Sequence, residues 1–320
     1  MPEELTKTQN RTSLIDFKNY PVSLVLASLL KDKTTGENII FATPSYVLNG
    51  TPIKETEQIT ITKIRQGLFN VIKPRVTKSY ETQAERTRKK AEVFTPSWVC
   101  NKMNNHCDAE WFGRENVFNT EKEKTWIPTT EHIQFENPND WKKYVDSKRL
   151  EITCGEAPYI VSRYDTTTGG LIPINHRIGI LDRKLRIVSE NTKNEDEWLK
   201  WVYRAFQSVY GYEFQGDNLL IARINLLNTF DDYVQEHLNR TSTEKELKKI
   251  ANIIVWNIWQ MDGITGTIPF RKPQKEEEQL SLFDFELGIN DDEPEAEICK
   301  IYDWTSKKTL TYTSIKGNRK

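Results

Sequence analysis

Leu150-Glu151-Ile152-Thr153-Cys154-Gly155-Glu156-Ala157-Pro158-Tyr159 decides the fold class. Leu150 to Thr153 reads as a short strand that stops at Gly155, where a missing side chain lets backbone or ligand approach closely. Downstream, Trp198, Trp201, Val202, Ala205, Phe206 and Val209 recur at i, i+3, i+4, i+7, i+8 and i+11. That spacing predicts an amphipathic helix over 195–209. Val209 to Phe214 reads as a second strand, Leu219 to Leu238 as a second amphipathic helix, 243–252 as a third, and Ile253 to Ile258 as a third strand. Strands alternating with helices predict an α/β protein with a parallel sheet and helical crossovers.

Upstream, apolar runs at 22–30 and 38–42 flank the polar turn 31–37 and read as a β-hairpin. Residues 97–106 read as a helix, with Pro96 in its first turn and Thr95 as its cap. Residues 63–90 hold nine Lys or Arg against two Glu, and 274–297 hold one Lys against ten acids. The first is a candidate phosphate-binding surface and the second a disordered loop. Two short strand-like pieces follow, 298–303 and 310–315. The expected organisation is a small α+β region over 1–90 and a larger domain over 91–320 that carries the acidic insertion at about 270–297.

Bulk composition excludes several classes. With 28% charged residues, 37% hydrophobic residues and a net charge of −1, no overall field draws the chain to nucleic acid, so any such attraction is local. Met1 to Asn10 is polar, unlike a secretory leader, and no apolar run reaches the ~18 residues of a membrane helix. Cys100, Cys107, Cys154 and Cys299 lack metal or disulfide spacing and read as reduced thiols of a cytoplasmic protein. His106 beside Cys107 has no second ligand pair, so no metal is expected. Trp198, Trp201, Trp256 and Trp259 fall at helix or strand spacing and read as core.

In an open parallel sheet, ligands bind beyond the carboxyl ends of the strands. Those ends carry Gly155, Glu213 and Asp262. A glycine admits a cofactor to the backbone, an acid after the second strand accepts ribose hydroxyls, and an acid after the third accepts an exocyclic amine. Asp182-Arg183-Lys184 brings acid and base together, as a nuclease would, but lies on a helical stretch and reads as an exposed ion-pairing face.

Ala91-Glu92-Val93-Phe94-Thr95-Pro96-Ser97-Trp98-Val99-Cys100 resembles the F-x-T-P-x-x-V segment of amino-directed adenine DNA methyltransferases. Leu150 to Tyr159 resembles that family's L-D-P-x-C-G-x-G-x-F, with Leu150, Cys154 and Gly155 matching, Glu151 keeping the acid and Tyr159 the aromatic. Ile152 replaces its proline and Ala157 its second glycine. Further phrases, 150–165, 178–186 and 211–225, are similar to methylation subunits of restriction–modification systems. The resemblance covers about residues 91–265. It implies a Rossmann-like methyltransferase sheet, S-adenosylmethionine as cofactor and double-stranded DNA as substrate. The implied cofactor residues are Phe94, Thr95, Pro96, Glu151, Gly155, Glu213 and Asp262.

The family's catalytic Asn/Asp-Pro-Pro-aromatic motif is missing, because no Pro-Pro pair occurs. Glu156-Ala157-Pro158-Tyr159 is a rival variant of it, which makes Glu156, Pro158 and Tyr159 alternative catalytic candidates, although alanine replaces a proline and glutamate is one carbon too long. Three explanations stand: a chain cut before its fourth strand, a split enzyme completed by a second restriction–modification subunit, or a degenerate methyltransferase fold kept for DNA binding or assembly. Lys73, Arg75, Lys78, Arg86, Arg88, Lys89 and Lys90 are the candidate DNA contacts. Gln279, Leu280, Leu282 and Phe283 resemble, with Ser281, the pentapeptide by which bacterial proteins bind the replication sliding clamp, an extended segment presenting a polar residue and two apolar anchors.

Overall fold

The computed structural model describes residues 14–90, 95–270 and 297–316. The order of elements begins α1 (Val22–Leu29), β1 (Val47–Leu48), β2 (Thr51–Pro52), α2 (Ile61–Arg65), α3 (Tyr80–Lys90), α4 (Ser97–Phe112), β3 (Asn119–Lys122), β4 (Thr125–Pro128) and α5 (Asp140–Asp146). It continues with β5 (Arg149–Glu151), α6 (Ile180–Asn191), α7 (Glu195–Gln207), β6 (Val209–Glu213), α8 (Gly216–Leu238), α9 (Glu244–Asn257) and β7 (Ile258–Gln260). The last elements are β8 (Lys300–Asp303), β9 (Lys308–Thr311) and α10 (Tyr312–Lys316). The protein is mixed α/β. Its sheets are small: three antiparallel pairs, β1–β2, β3–β4 and β8–β9, and one three-stranded parallel sheet in the order β5-β6-β7.

A parallel sheet with helical crossovers is what the sequence predicts, although its third strand lies later than expected. Arg149 lies beside Val209, Glu151 beside Gly211, and Glu213 beside Gln260, so all three strands end on one edge. Helices α6 and α7 cross from β5 to β6, and α8 and α9 cross from β6 to β7. The Asn194 side chain accepts from the Glu197 amide at 3.0 Å and starts α7, whose first turn also carries Glu195 and Asp196, acids that the helix dipole favours there. Thr243 and Glu246 form a reciprocal capping box on α9. Every residue of β6 is buried, as a strand covered on both faces must be. Tyr210 and Tyr212 pack with Trp259, Met261, Cys299, Ile301 and Tyr312 on one face. Val209 and Ile258 join the main core on the other. That core is continuous from Ile15 to Ile258 and takes in residues from both sides of position 90.

Four local expectations fail. Residues 22–29 form a helix and not a hairpin strand: Val22, Val25, Leu26 and Leu29 are buried at i, i+3, i+4 and i+7, packed largely against α9. The turn at 31–37 is present, held by Asp32 Oδ1 accepting from the Thr34 and Thr35 amides. The β-branched run Ile253-Ile254-Val255 continues α9 up to Asn257, because its helical face is buried among its neighbours and tertiary packing overrides strand propensity. Asp182, Arg183 and Lys184 are buried, not an exposed face. Lys184 Nζ donates to the carbonyls of Val145 (3.0 Å) and Ser147 and to Ser208 Oγ (2.6 Å). Arg183 pairs with Asp108, and Asp182 Oδ2 accepts from the Ser162 amide at 2.8 Å. At the C-terminal end, α10 takes up Tyr312–Lys316, where a strand was expected.

The chain from 38 to 42 lies across the sheet's carboxyl edge. The Gln260 side chain accepts from the Ile40 amide and donates to the Ile40 carbonyl, both at 2.9 Å, and the Gly216 amide donates to Phe41 at 3.0 Å. A Cβ on Gly216 would stand 1.9 Å from the Ile40 carbonyl oxygen, so only glycine allows this approach. No described helix is long and apolar enough to cross a membrane.

Candidate functional site

The loop after β5 folds over the end of β6. The Cys154 amide donates to the Tyr212 carbonyl at 2.8 Å, and the Gly155 amide to Glu213 Oε2 at 2.9 Å. A Cβ on Gly211 would stand 3.3 Å from the Cys154 side chain, so the bare backbone of β6 admits the loop. Glu213 Oε1 accepts from the Gln215 amide at 3.1 Å, and its carbonyl accepts from the Met261 amide at 3.1 Å. Glu213 therefore joins all three strand ends. Thr153, Gly155 and Ala157 alternate at φ +46°, +54° and +64°. Left-handed backbone is costly for a residue with a Cβ, and at Ala157 it occurs where the resembled family has glycine. The Ala157 methyl is fully buried, so it points into the protein.

Glu151 turns back into its own loop, accepting from the Tyr159 amide (3.4 Å) and the Ile160 amide (3.2 Å). Burial pushes its carboxyl well above the usual carboxylate range, more strongly than those amides lower it. Asp262, beyond β7, is half-buried. Its Oδ1 accepts from the amides of Ile264 (2.8 Å) and Thr265 (3.3 Å), while Oδ2 takes no hydrogen bond among the described residues. Thr95 and Pro96 dock on the same loop system. The Ser97 amide donates to Asp165 Oδ2 at 2.7 Å, Thr166 Oγ1 donates to the Thr95 carbonyl at 3.0 Å, and Asn104 Nδ2 donates to the Tyr159 carbonyl at 3.0 Å. Burial raises the Tyr159 hydroxyl, and the Thr95 side chain beside it opposes the shift. Phe94 lies outside the described residues, so six of the seven cofactor candidates are placed. Pro96, expected inside the first helical turn, is the residue that precedes α4.

A hollow of about 150 Å³ beside the end of β7 is lined by Ile40, Gln58, Gln260, Ile268 and Phe270. The Phe270 ring meets Phe214 edge-on, with centroids 5.4 Å apart. A larger cleft of about 470 Å³ lies elsewhere, at the far end of α8.

Of the rival catalytic residues, Glu156 is buried, with its carboxylate accepting from Tyr164 Oη (2.6 Å) and the Arg75 amide (2.7 Å). That geometry makes it an internal anchor for the basic stretch, not a group facing a substrate. Pro158 and Tyr159 are half-buried beside it.

The basic stretch divides. Lys78 and Arg86 are buried against Asp217, at 3.4 and 2.9 Å, which corrects their reading as surface phosphate contacts. Arg75 and Lys73 are half-buried, Arg75 reaching Thr87 Oγ1 at 2.6 Å, and Arg88 is exposed. The side chains of Lys89 and Lys90, and all of Gln279, Leu280, Leu282 and Phe283, lie outside the described residues. Asp217 and Gln260, which tie the regions together, escaped sequence reasoning. The available signal for Asp217 was its place directly after the glycine that opens α8. No protein-family model matches the chain, and no curated protein or solved structure is significantly similar to it.

Proposed function

We propose that this chain is a component of a restriction–modification or related defence system, built on a Rossmann-like methyltransferase fold that binds S-adenosylmethionine at the carboxyl edge of the β5-β6-β7 sheet and acts on adenine in double-stranded DNA. The observation that carries the reading is the joining of three strand ends by Glu213, with its carboxylate on the Gly155 amide. Left-handed Ala157 at the family's glycine position and the docking of Thr95 and Pro96 on the same loops support it.

The donor set fits the cofactor. Glu213 stands at the strand end where a ribose would come, and Asp262 Oδ2 suits the adenine amine. The cofactor supplies an electrophilic methyl group. This chain's residues bind and orient it, and nothing in the chain matches the motif that would hold the target amine.

A second chain completing the site is favoured by β5, an edge strand among the described residues, where Leu150 is 50% exposed and Ile152, just beyond it, 63% exposed. Exposed apolar edge strands are ones that proteins normally cover. The inward-facing Glu156 favours the alternative, a non-catalytic DNA-binding or assembly subunit. Titration calorimetry with S-adenosylmethionine tests the cofactor site, with Glu213→Gln and Asp262→Ala alongside and circular dichroism to check their folding. Saturable binding that both folded variants lose supports it. No binding at about millimolar cofactor leaves only the scaffold reading.

A further inference from the structure

We infer that the exposed face of α9, continued by the turn after α1 and by β8, is a binding surface for the phosphate backbone of duplex DNA. The choice of DNA rests on the function proposed above; the surface itself does not. Along α9, Lys245, Lys248, Lys249 and Asn252 are exposed and Trp256 is half-buried. Steps of three and four residues put them on one side of the helix. The stripe runs about 16 Å from Lys245 to Trp256, at ~1.5 Å per residue.

The stripe does not end with the helix. Lys33 Nζ donates to Asn252 Oδ1 at 2.9 Å and lies 5.5 Å from the centre of the Trp256 ring. Trp256 meets Tyr302 of β8 with centroids 5.3 Å apart. Lys300, two residues before Tyr302 and so on the same face of the strand, is exposed. Its amide donates to Thr34 Oγ1 at 2.9 Å, which ties β8 to the turn that carries Lys33. Lys31 is exposed in that turn.

Six lysines, distant in sequence, thus come together where no local basic run announces them. Two exposed acids border them, Glu37 and Glu244, and Glu244 is held by Lys248 at 2.7 Å. Lys249 Nζ stands 3.6 Å over the Tyr203 ring. Burial, with the charge of Lys245 next, holds Lys249 below the usual lysine range. In a chain of net charge −1 this is a local positive field, which draws a polyanion. A row of lysines suits phosphates, whose condensed counterions it releases. A bilayer would also take up apolar side chains, and none of the exposed large apolar residues lies on the stripe.

Fluorescence anisotropy of the full chain on a labelled duplex, repeated at several salt concentrations, tests the surface. Lys245→Gln, Lys249→Gln and Lys300→Gln combined should weaken binding about tenfold or more and cut the slope of log affinity against log salt by about three. Arg at the same three positions keeps the charge and should keep both. Circular dichroism checks that each variant is folded. A wild-type slope in the folded Gln variant, or an equal loss in the Arg variant, would overturn the inference. Absence of duplex binding up to about 100 μM at low salt would do the same, and binding to phosphatidylserine vesicles alone would assign the lysines to an anionic membrane surface instead. Arg88→Ala separates the two proposals: a slope that falls only in Arg88→Ala keeps the DNA partner proposed above and removes this surface.

Discussion

Replacing Asp217 with Asn takes one charge from a fully enclosed site. The Tyr46 hydroxyl donates to Oδ2 at 2.5 Å, Arg86 Nη2 stands 2.9 Å away and Lys78 Nζ 3.4 Å. Burial alone would raise the carboxyl, but the charges of Lys78 and Arg86 outweigh it and hold the group at about 2, from 3.8. That displacement contributes roughly 2 kcal/mol to folding at neutral pH. Because the folded value lies below the unfolded one, the contribution is complete above about pH 4 and vanishes as pH falls toward 2. Asn also takes the carboxylate away from two buried cations, and breaking a buried pair costs about 3–5 kcal/mol. The expected loss of unfolding free energy at pH 7 is therefore about 3–5 kcal/mol, and the gap between the proteins should narrow by roughly 2 kcal/mol as pH falls toward 2. Urea unfolding followed by tryptophan fluorescence at pH 7, 4 and 2.5 measures both. A loss under about 1 kcal/mol at pH 7, or a gap independent of pH, would refute this account of the Asp217 site.

Gly216→Ala should cost about 3 kcal/mol or more, since its Cβ meets a backbone oxygen and forces residues 38–42 off the sheet edge; a thermal melt within a few degrees of wild type would contradict that. Burial, with the charge of Arg149 next, holds Lys184 well below the usual lysine range. Unfolding free energy should thus rise with pH above neutrality, as the unfolded chain still binds that proton up to about pH 10, and Lys184→Met should flatten the rise in denaturant titrations. If the chain binds DNA as proposed, Arg88→Ala should lower the slope of log affinity against log salt by about one, while Lys78→Gln should change stability and leave the slope unaltered. Fluorescence anisotropy on a duplex at several salt concentrations separates the two.

The parallel sheet was legible because its strands and crossovers carry strong periodicity, from Trp198 to Val209 above all. Helix α1 was misread because Val22, Val25, Leu26 and Leu29 sit in a run so apolar that the helical face has little contrast with its neighbours. The fates of Lys78, Arg86, Arg183 and Lys184 were invisible for a different reason. A charge on a helix reads as exposed unless its partner is known, and the partners lie 139, 131 and 75 residues away for the first three. The Gly155, Glu213 and Asp262 positions were legible as strand ends, but the tie from Gly155 to Glu213 depends on register, which no local pattern encodes.

Residues 15–72 share one core with α8, α9 and β7. Arg223 donates to the carbonyls of Leu29 (2.7 Å) and Lys31 (2.9 Å), and Gln260 clasps Ile40. During translation those early residues therefore leave the ribosome without a mate. At roughly 5–20 residues per second, they wait on the order of 10–40 s for the helices that receive them. Val22, Leu26, Ile39 and Phe41 are therefore the apolar side chains whose cover arrives last in the order of synthesis.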